Sequence, residues 1–407
     1  MRLIPPPSPR ATAAAPRTFA GRARAIGAHP VLTVVLLVLA VRVSTAGLAF
    51  MANVVFPLHQ DQGFGVYRQP HLALDTFARY DAGWYHGIAK NGYAWVEGGR
   101  SNLAFFPVYP LAMRAVGTLL GGLPSDLYVG GIVVSWLASL GGMLMLYRLA
   151  RLDMDETAAG RSVLFALLHP GAFFFGVVYS ESTYLMLALT AMYGFRTGRW
   201  WVGGLAGALL TATRVTGLML LPALAWAAWR AARDTRVASP WPPVLAVCAV
   251  PLGLVAFSAY CYVLSGHPLE WMASITRWNY TPGGHPLSAL GSLVVELATR
   301  PYAYLTQHHA APYDTINGVC ALIALVLAPL VWWRFGVAYA LVMICSLALP
   351  LSSGQFEGLT RYTAVLFPVA LLLGTIRSQA VSGLLIGLSG ALYMLCLALF
   401  SNVHPLF

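Results

Sequence analysis

The chain has 407 residues, 58% of them hydrophobic and only 10% charged, with a mean hydropathy of +0.68. A composition this apolar at this length excludes a water-soluble globular domain and points to a polytopic membrane protein. The net charge of +11 would suit nucleic acid. However, the arginines cluster in short turns between apolar runs, so the charge reports topology and no nucleic-acid partner is expected.

The first 28 residues are rich in Pro, Ala and Arg and read as a disordered basic tail on the cytoplasmic side. The run from Val31 to Phe50 is longer than a secretory signal core and lacks a convincing small-x-small cleavage site, so it is expected to remain as a first helix. Residues 29–407 form one integral domain. Its apolar runs predict eleven membrane-spanning helices, at 31–52, 126–147, 162–179, 182–196, 200–213, 216–230, 241–264, 314–333, 336–350, 361–376 and 381–401. The fold class is all-α, a transmembrane helix bundle. Segment 103–122 is interrupted by Pro107, Pro110 and Arg114 and is read as an interfacial helix on the outer face.

Charge sets the orientation. With 103–122 interfacial, fifteen of the 25 basic residues fall in cytoplasmic segments and nine in outer ones, while ten of the 14 acids fall outside. This is the positive-inside bias, and treating 103–122 as a span reverses it. The long polar loops 53–125 and 267–313 then share the outer face with "YSES" at 179–182, "TRVTG" at 213–217 and "SSGQFEGLTRY" at 352–362. The five cysteines lie in or beside apolar runs without a CxxC and read as packing residues.

Two acids and two arginines stand out on that face. Asp81 sits among aromatic rings in "FARYDAGWYHGIAKNGY". It reads either as part of an interfacial belt paired with Arg79 or as a functional acid facing a cavity. In a helix it would share a membrane-facing stripe with Trp84, Tyr85 and Ile88. Glu181 in "YSES" reads as a helix-start acid or as a second functional carboxylate. Arg214 and Arg361, at the mouths of apolar helices, suit a phosphate grip or headgroup snorkelling, and Glu357 is a candidate partner for Arg361. Arg79, Trp84, Tyr85 and His86, with Trp278 in the second loop, are further candidate substrate contacts, since aromatic faces with polar rims suit a sugar. The pair His308–His309 lacks the spacing of a metal motif, and no P-loop, GxGxxG or GxSxG stands in a suitable context. No metal or cofactor is expected.

Taken in order, "FARYDAGWYHGIAKNGY", "AFFPVYPLAMR", "VYSESTYLMLAL", "TATRVTGLMLLPAL", "SGHPLEWM" and "GLTRYTAVLFPVALLLG" resemble the bacterial relatives of the second GPI mannosyltransferase, the PIG-V type, over residues 77–377. The resemblance implies a GT-C-like membrane glycosyltransferase that takes a sugar from a polyprenyl phosphate on the outer face. It places the family's motif acid on Asp81 and its Ser-Glu-Ser motif on Ser180, Glu181 and Ser182. The family's usual Trp before the acid is Tyr80 here, and Val215 follows the arginine where Asn or Ser is common.

The expected activity is therefore an inverting hexosyl transfer, which the resemblance alone makes a mannosyl transfer, in the cell membrane with the N-terminus cytoplasmic. Asp81 would act as general base, Glu181 would orient acceptor or base, and Arg214 or Arg361 would neutralise the leaving phosphate. The expected partners are a polyprenyl-phosphate sugar, membrane lipids, and a glycolipid, lipoglycan or protein acceptor. A lipid or lipid-linked-sugar flippase is the alternative, and it would place its acids near the bilayer midplane on broken helices.

Overall fold

The computed structural model describes residues 29–59, 72–234, 239–278, 285 and 287–406, so the basic tail lies outside the described residues. These residues form helices and irregular connections, with no strand among them. Among the described residues, six helices are long and apolar enough to cross a membrane: Pro30–Val55, Pro124–Ala150, Val215–Asp234, Trp241–Ser265, Ala311–Phe335 and Gln379–Ser401. All six match expected spans.

Several expected spans are divided. The run 162–179 is a helix only as far as Leu167 (Glu156–Leu167), followed by irregular chain and a 3-10 turn at Ala172–Phe175. The cause is local: Pro170 and Gly171 follow at once, and proline cannot continue the helical hydrogen-bond ladder. The run 361–376 divides into Leu359–Ala364 and Phe367–Gly374, with Pro368 in the first turn of the second, where its missing N–H costs nothing. The 216–230 run opens as a 3-10 turn, Val215–Leu220, before the α-helix Leu221–Asp234. The helix Val108–Leu120 has 13 residues, and at about 1.5 Å per residue it falls short of the roughly 30 Å of a bilayer core. That length agrees with an interfacial reading.

Small residues let the helices approach closely. A Cβ on Gly194 would lie 2.6 Å from the backbone nitrogen of Gly203, so the helices Glu181–Arg196 and Trp200–Thr211 meet backbone to backbone.

The turns assigned to the two faces gather at separate places. Arg196 pairs with Asp153 and donates to the Tyr339 hydroxyl at 2.7 Å, and Arg161 donates to the Gly374 carbonyl at 3.0 Å. Those contacts join the turns assigned to the cytoplasm. Asp81, Glu181, Arg214 and Arg361, from four of the segments assigned to the outer face, meet elsewhere.

The segment between Leu167 and Glu181 is buried yet not regular, so its backbone groups need partners from other elements. Ser389 Oγ donates to the Leu168 carbonyl at 2.7 Å and Trp136 Nε1 to that of Gly176 at 3.0 Å. Ser135 Oγ donates to the Val177 carbonyl at 2.7 Å, and the Val178 N–H bonds to the Phe77 carbonyl at 3.0 Å. Side chains from two long helices thus fix the irregular segment that leads into "YSES".

Candidate active site

Tyr80 has φ 51°, the left-handed region that non-glycine residues seldom occupy. Its hydroxyl donates to the His404 carbonyl at 2.7 Å, which helps hold that conformation. The turn makes Asp81 the residue before the helix Ala82–Asn91 rather than part of it. The face carrying Tyr85 and Ile88 is turned into the protein, where both are buried, and not toward lipid as the helical stripe implied. The Asp81 N–H donates to the Tyr179 hydroxyl at 3.3 Å, leaving the carboxylate free to face across the site.

That carboxylate meets Arg361, with Oδ2 and Nη1 2.7 Å apart. Arg361 Nε also lies 3.3 Å from Glu181 Oε1, and the same oxygen pairs with Arg214 Nη1. The result is a continuous chain of alternating charges, Asp81–Arg361–Glu181–Arg214. Exposure falls from Asp81, 25%, through Arg361, 6%, to Glu181, 2%, and rises again to 16% at Arg214. Buried charges persist when paired and hydrogen-bonded, and two acids against two guanidinium groups leave the cluster neutral. Arg361, for which the sequence offered Glu357, pairs instead with these two site acids.

Glu181 is the first residue of the helix Glu181–Arg196, so it stands at the positive end of the helix dipole as well as within the cluster. Ser180 precedes it but makes no cap bond. Its hydroxyl instead shares a 2.9 Å hydrogen bond with the Tyr85 hydroxyl and accepts from Arg214 Nη1 at 3.2 Å. Burial raises the pKa of the Tyr85 phenol, which therefore stays protonated and can donate. Glu181 Oε2 is buried with no hydrogen-bond partner, and Glu181, Tyr184, Arg214, Thr216, Arg361 and Tyr362 line a narrow cavity. An unsatisfied carboxylate oxygen in a cavity wall is suited to accept a ligand hydroxyl.

An aromatic group adjoins the cluster through Tyr85. Trp84 stacks on Phe105 at 5.7 Å between ring centroids and meets Trp278 edge-on at 5.1 Å, while Tyr85 meets Phe105 edge-on at 5.3 Å. The Arg100 guanidinium lies 4.5 Å from the Trp278 ring centre. Trp84, Tyr85 and Trp278 are therefore brought together as the sequence proposed. Phe105 and Arg100 join them without having been singled out.

Two candidates fall elsewhere. Arg79 pairs with Asp75 at 2.6 Å, and its Nε and Nη2 donate to the Ser401 carbonyl at 3.2 and 3.0 Å. It ties the loop to the end of the last long helix and is not Asp81's partner. His86 stacks on Tyr128 at 4.1 Å, with Nε2 3.1 Å from the Pro124 carbonyl, so it serves the contact with helix Pro124–Ala150. Among the described residues, no group of three His, Cys, Asp or Glu is placed to hold a metal ion.

Residues 31–235 match the sequence model of the family described as Mannosyltransferase (PIG-V). The chain belongs to that family. The matched stretch of this PIG-V-family chain holds Asp81, Glu181 and Arg214, while Trp278 and Arg361 lie beyond it. It is similar to GPI alpha-1,6-mannosyltransferase 2 of Cricetulus griseus, 29% identical over 283 residues, covering 60% of this chain and 56% of that protein. The Rattus norvegicus protein of the same name is 30% identical over 197 residues, 44% of this chain and 39% of its own length. The chain thus spans about half the length of the curated relatives it matches. Among solved structures, ArnT from Cupriavidus metallidurans bound to undecaprenyl phosphate aligns with a TM-score of 0.49 and 14% identity, over 91% of this chain and 76% of that one.

Proposed function

We propose that this PIG-V-family chain is a membrane mannosyltransferase that moves the sugar of a polyprenyl-phosphate donor to an acceptor hydroxyl on the extracytoplasmic face, with inversion at the anomeric carbon. The family and the ordered motifs support the class of reaction. The observation that carries the mechanism is the Asp81–Arg361–Glu181–Arg214 chain, assembled from four segments that the charge bias puts on one face.

In this reading the donor phosphate enters beside Arg361 and Arg214 and takes over part of their hydrogen bonding from the two acids. Guanidinium groups suit this exchange because carboxylate and phosphate present similar paired oxygens. Asp81, the most exposed of the four, is then positioned to take the acceptor proton. The acceptor oxygen bonds to the anomeric carbon as the bond from that carbon to the phosphate oxygen breaks, and polyprenyl phosphate leaves as an anion held by the arginines. Glu181 orients a hydroxyl through its free Oε2. The Trp84, Phe105 and Trp278 rings offer the apolar faces on which a sugar of the acceptor, a glycolipid, lipoglycan or glycoprotein, can lie. A lipid-phosphate donor carries no nucleotide diphosphate, so the chemistry needs no metal-diphosphate site.

The test supplies radiolabelled polyprenyl-phosphate mannose, and in parallel GDP-mannose, to membranes with and without this chain, in the absence of other mannosyl donors. Transfer from the lipid donor alone is expected. Transfer from the nucleotide sugar by purified protein contradicts the donor assignment, and lipid movement without any transfer returns the flippase alternative.

A further inference from the structure

Arg42 lies near the middle of the first long helix, Pro30–Val55, and is 1% exposed. Charged side chains at such a depth are costly and persist where they are used. Arg42 takes no part in the charge chain described above. Among the described residues, its one side-chain hydrogen bond runs from Nη1 to the Ala172 carbonyl at 3.3 Å, and its Nε and Nη2 are buried without a hydrogen-bond partner. The guanidinium is aimed at the irregular segment. A Cβ on Gly176 would lie 2.7 Å from Arg42 Nη1, closer than non-bonded atoms tolerate, so the bare glycine backbone is what allows the side chain its place.

The segment that Arg42 touches supplies much of the site. Phe174 and Tyr179 lie with ring centres 5.8 and 5.5 Å from the Arg361 guanidinium, and Tyr179 accepts the Asp81 N–H. Ser180 and Glu181 follow directly. Carbonyl groups exposed by a helix break carry partial negative charge, and a cation is a strong donor to them where water is absent. Ser389, Trp136 and Ser135 hold the Leu168, Gly176 and Val177 carbonyls from two other helices, and Arg42 holds the Ala172 carbonyl between them.

We infer that Arg42 is a positioning residue: by holding the Ala172–Gly176 turn from the interior of the first helix, it sets the geometry of Tyr179 and Glu181 against Arg361. This rests on the reading of Glu181 and Arg361 as the reaction site. No contact of Arg42 with substrate is involved.

The distinguishing variants are Arg42→Met, which keeps length and removes charge, and Arg42→Lys, which keeps charge. Removing a buried charge that has no ion pair relieves its desolvation cost, so an apolar residue of similar volume is expected to leave global stability unchanged or to raise it. A merely structural role would instead show as a lower denaturation midpoint with transfer kinetics otherwise intact. The positioning role predicts the opposite pattern in Arg42→Met: a midpoint in detergent equal to or above that of the wild type, amide exchange across residues 172–182 at least tenfold faster, and kcat down at least tenfold with the donor KM within twofold. Arg42→Lys is expected to restore most of kcat and of the exchange protection. Gly176→Ala is expected to speed the same exchange in the wild type but to add little to Arg42→Met, since the clash is with the guanidinium end.

Wild-type exchange rates across 172–182 in Arg42→Met, or an undiminished effect of Gly176→Ala in that background, overturn the inference. The exchange arms need no turnover. If the wild type transfers no mannose, the functional reading fails while Arg42 is still judged by exchange; if exchange is unchanged while transfer proceeds, only the positioning role falls.

Discussion

Replacing Arg361 by Met removes the link between the two site acids. Asp81 and Arg361 stand 2.7 Å apart, and unit charges at about 3–4 Å attract by roughly 4–6 kcal/mol at an effective dielectric constant of about 20. The net loss is smaller than this attraction, because Asp81 is 25% exposed and water re-solvates it. Glu181 is 2% exposed, however, and is left with Arg214 alone on the oxygen it shared with Arg361. Breaking a buried pair by removing one partner costs about 3–5 kcal/mol, and the remaining Arg214 contact places the expectation for Arg361→Met near the low end, about 3 kcal/mol. The assay is denaturant or SDS titration of purified protein in micelles, with Asp81→Asn and the double variant completing a cycle. A coupling energy of about 1–3 kcal/mol between positions 81 and 361 is expected, as for residues in one charge network. Additive effects, or an Arg361→Met variant as stable as the wild type, refute the pairing and with it the resting geometry of the site.

Arg79→Ala is expected to lower stability by about 3 kcal/mol, because Asp75 loses its guanidinium partner, yet to leave the donor KM of the folded fraction unchanged; a rise in KM of tenfold or more at unchanged stability would return Arg79 to the substrate. His404 gives the pH arm. Burial first, then His59 and His309, lower its pKa from the ordinary 6.5, so the unfolded chain binds the proton more readily than the folded one. Its contribution to stability is full above about pH 6.5 and falls as the pH drops through that value toward the folded pKa. The loss in denaturation midpoint between pH 7.5 and pH 5 is expected to shrink in His404→Asn, and an equal loss in both proteins contradicts the burial of the imidazole.

Much of the site could be read from the sequence because charge is conspicuous in an apolar chain. Asp81, Glu181, Arg214 and Arg361 were identifiable one by one, and the positive-inside bias put their segments on a common face before any contact was known. Their pairing was not readable: Arg361 had Glu357 four residues away as the nearer choice, and only tertiary packing brings positions 81 and 361 together. Arg79 was assigned by proximity to Asp81, although Asp75 four residues before it is the better-placed helical neighbour. The breaks within 162–179 and 361–376 escaped because summed hydropathy is the same for one helix and for two pieces. "HPG" at 169–171 and Pro368 were the signals that marked them. Arg42 is inconspicuous for the same reason, since one arginine scarcely alters the average of a 26-residue run.

The central claim is that Asp81 takes the acceptor proton, and transfer from labelled polyprenyl-phosphate mannose by purified Asp81→Asn tests it most directly. Asparagine keeps the shape and removes the basic oxygen, and a positioned general base contributes about 10²–10⁴-fold. The expected result is a loss of kcat in that range with the protein still folded and donor binding retained. Transfer at the wild-type rate by Asp81→Asn would contradict the account.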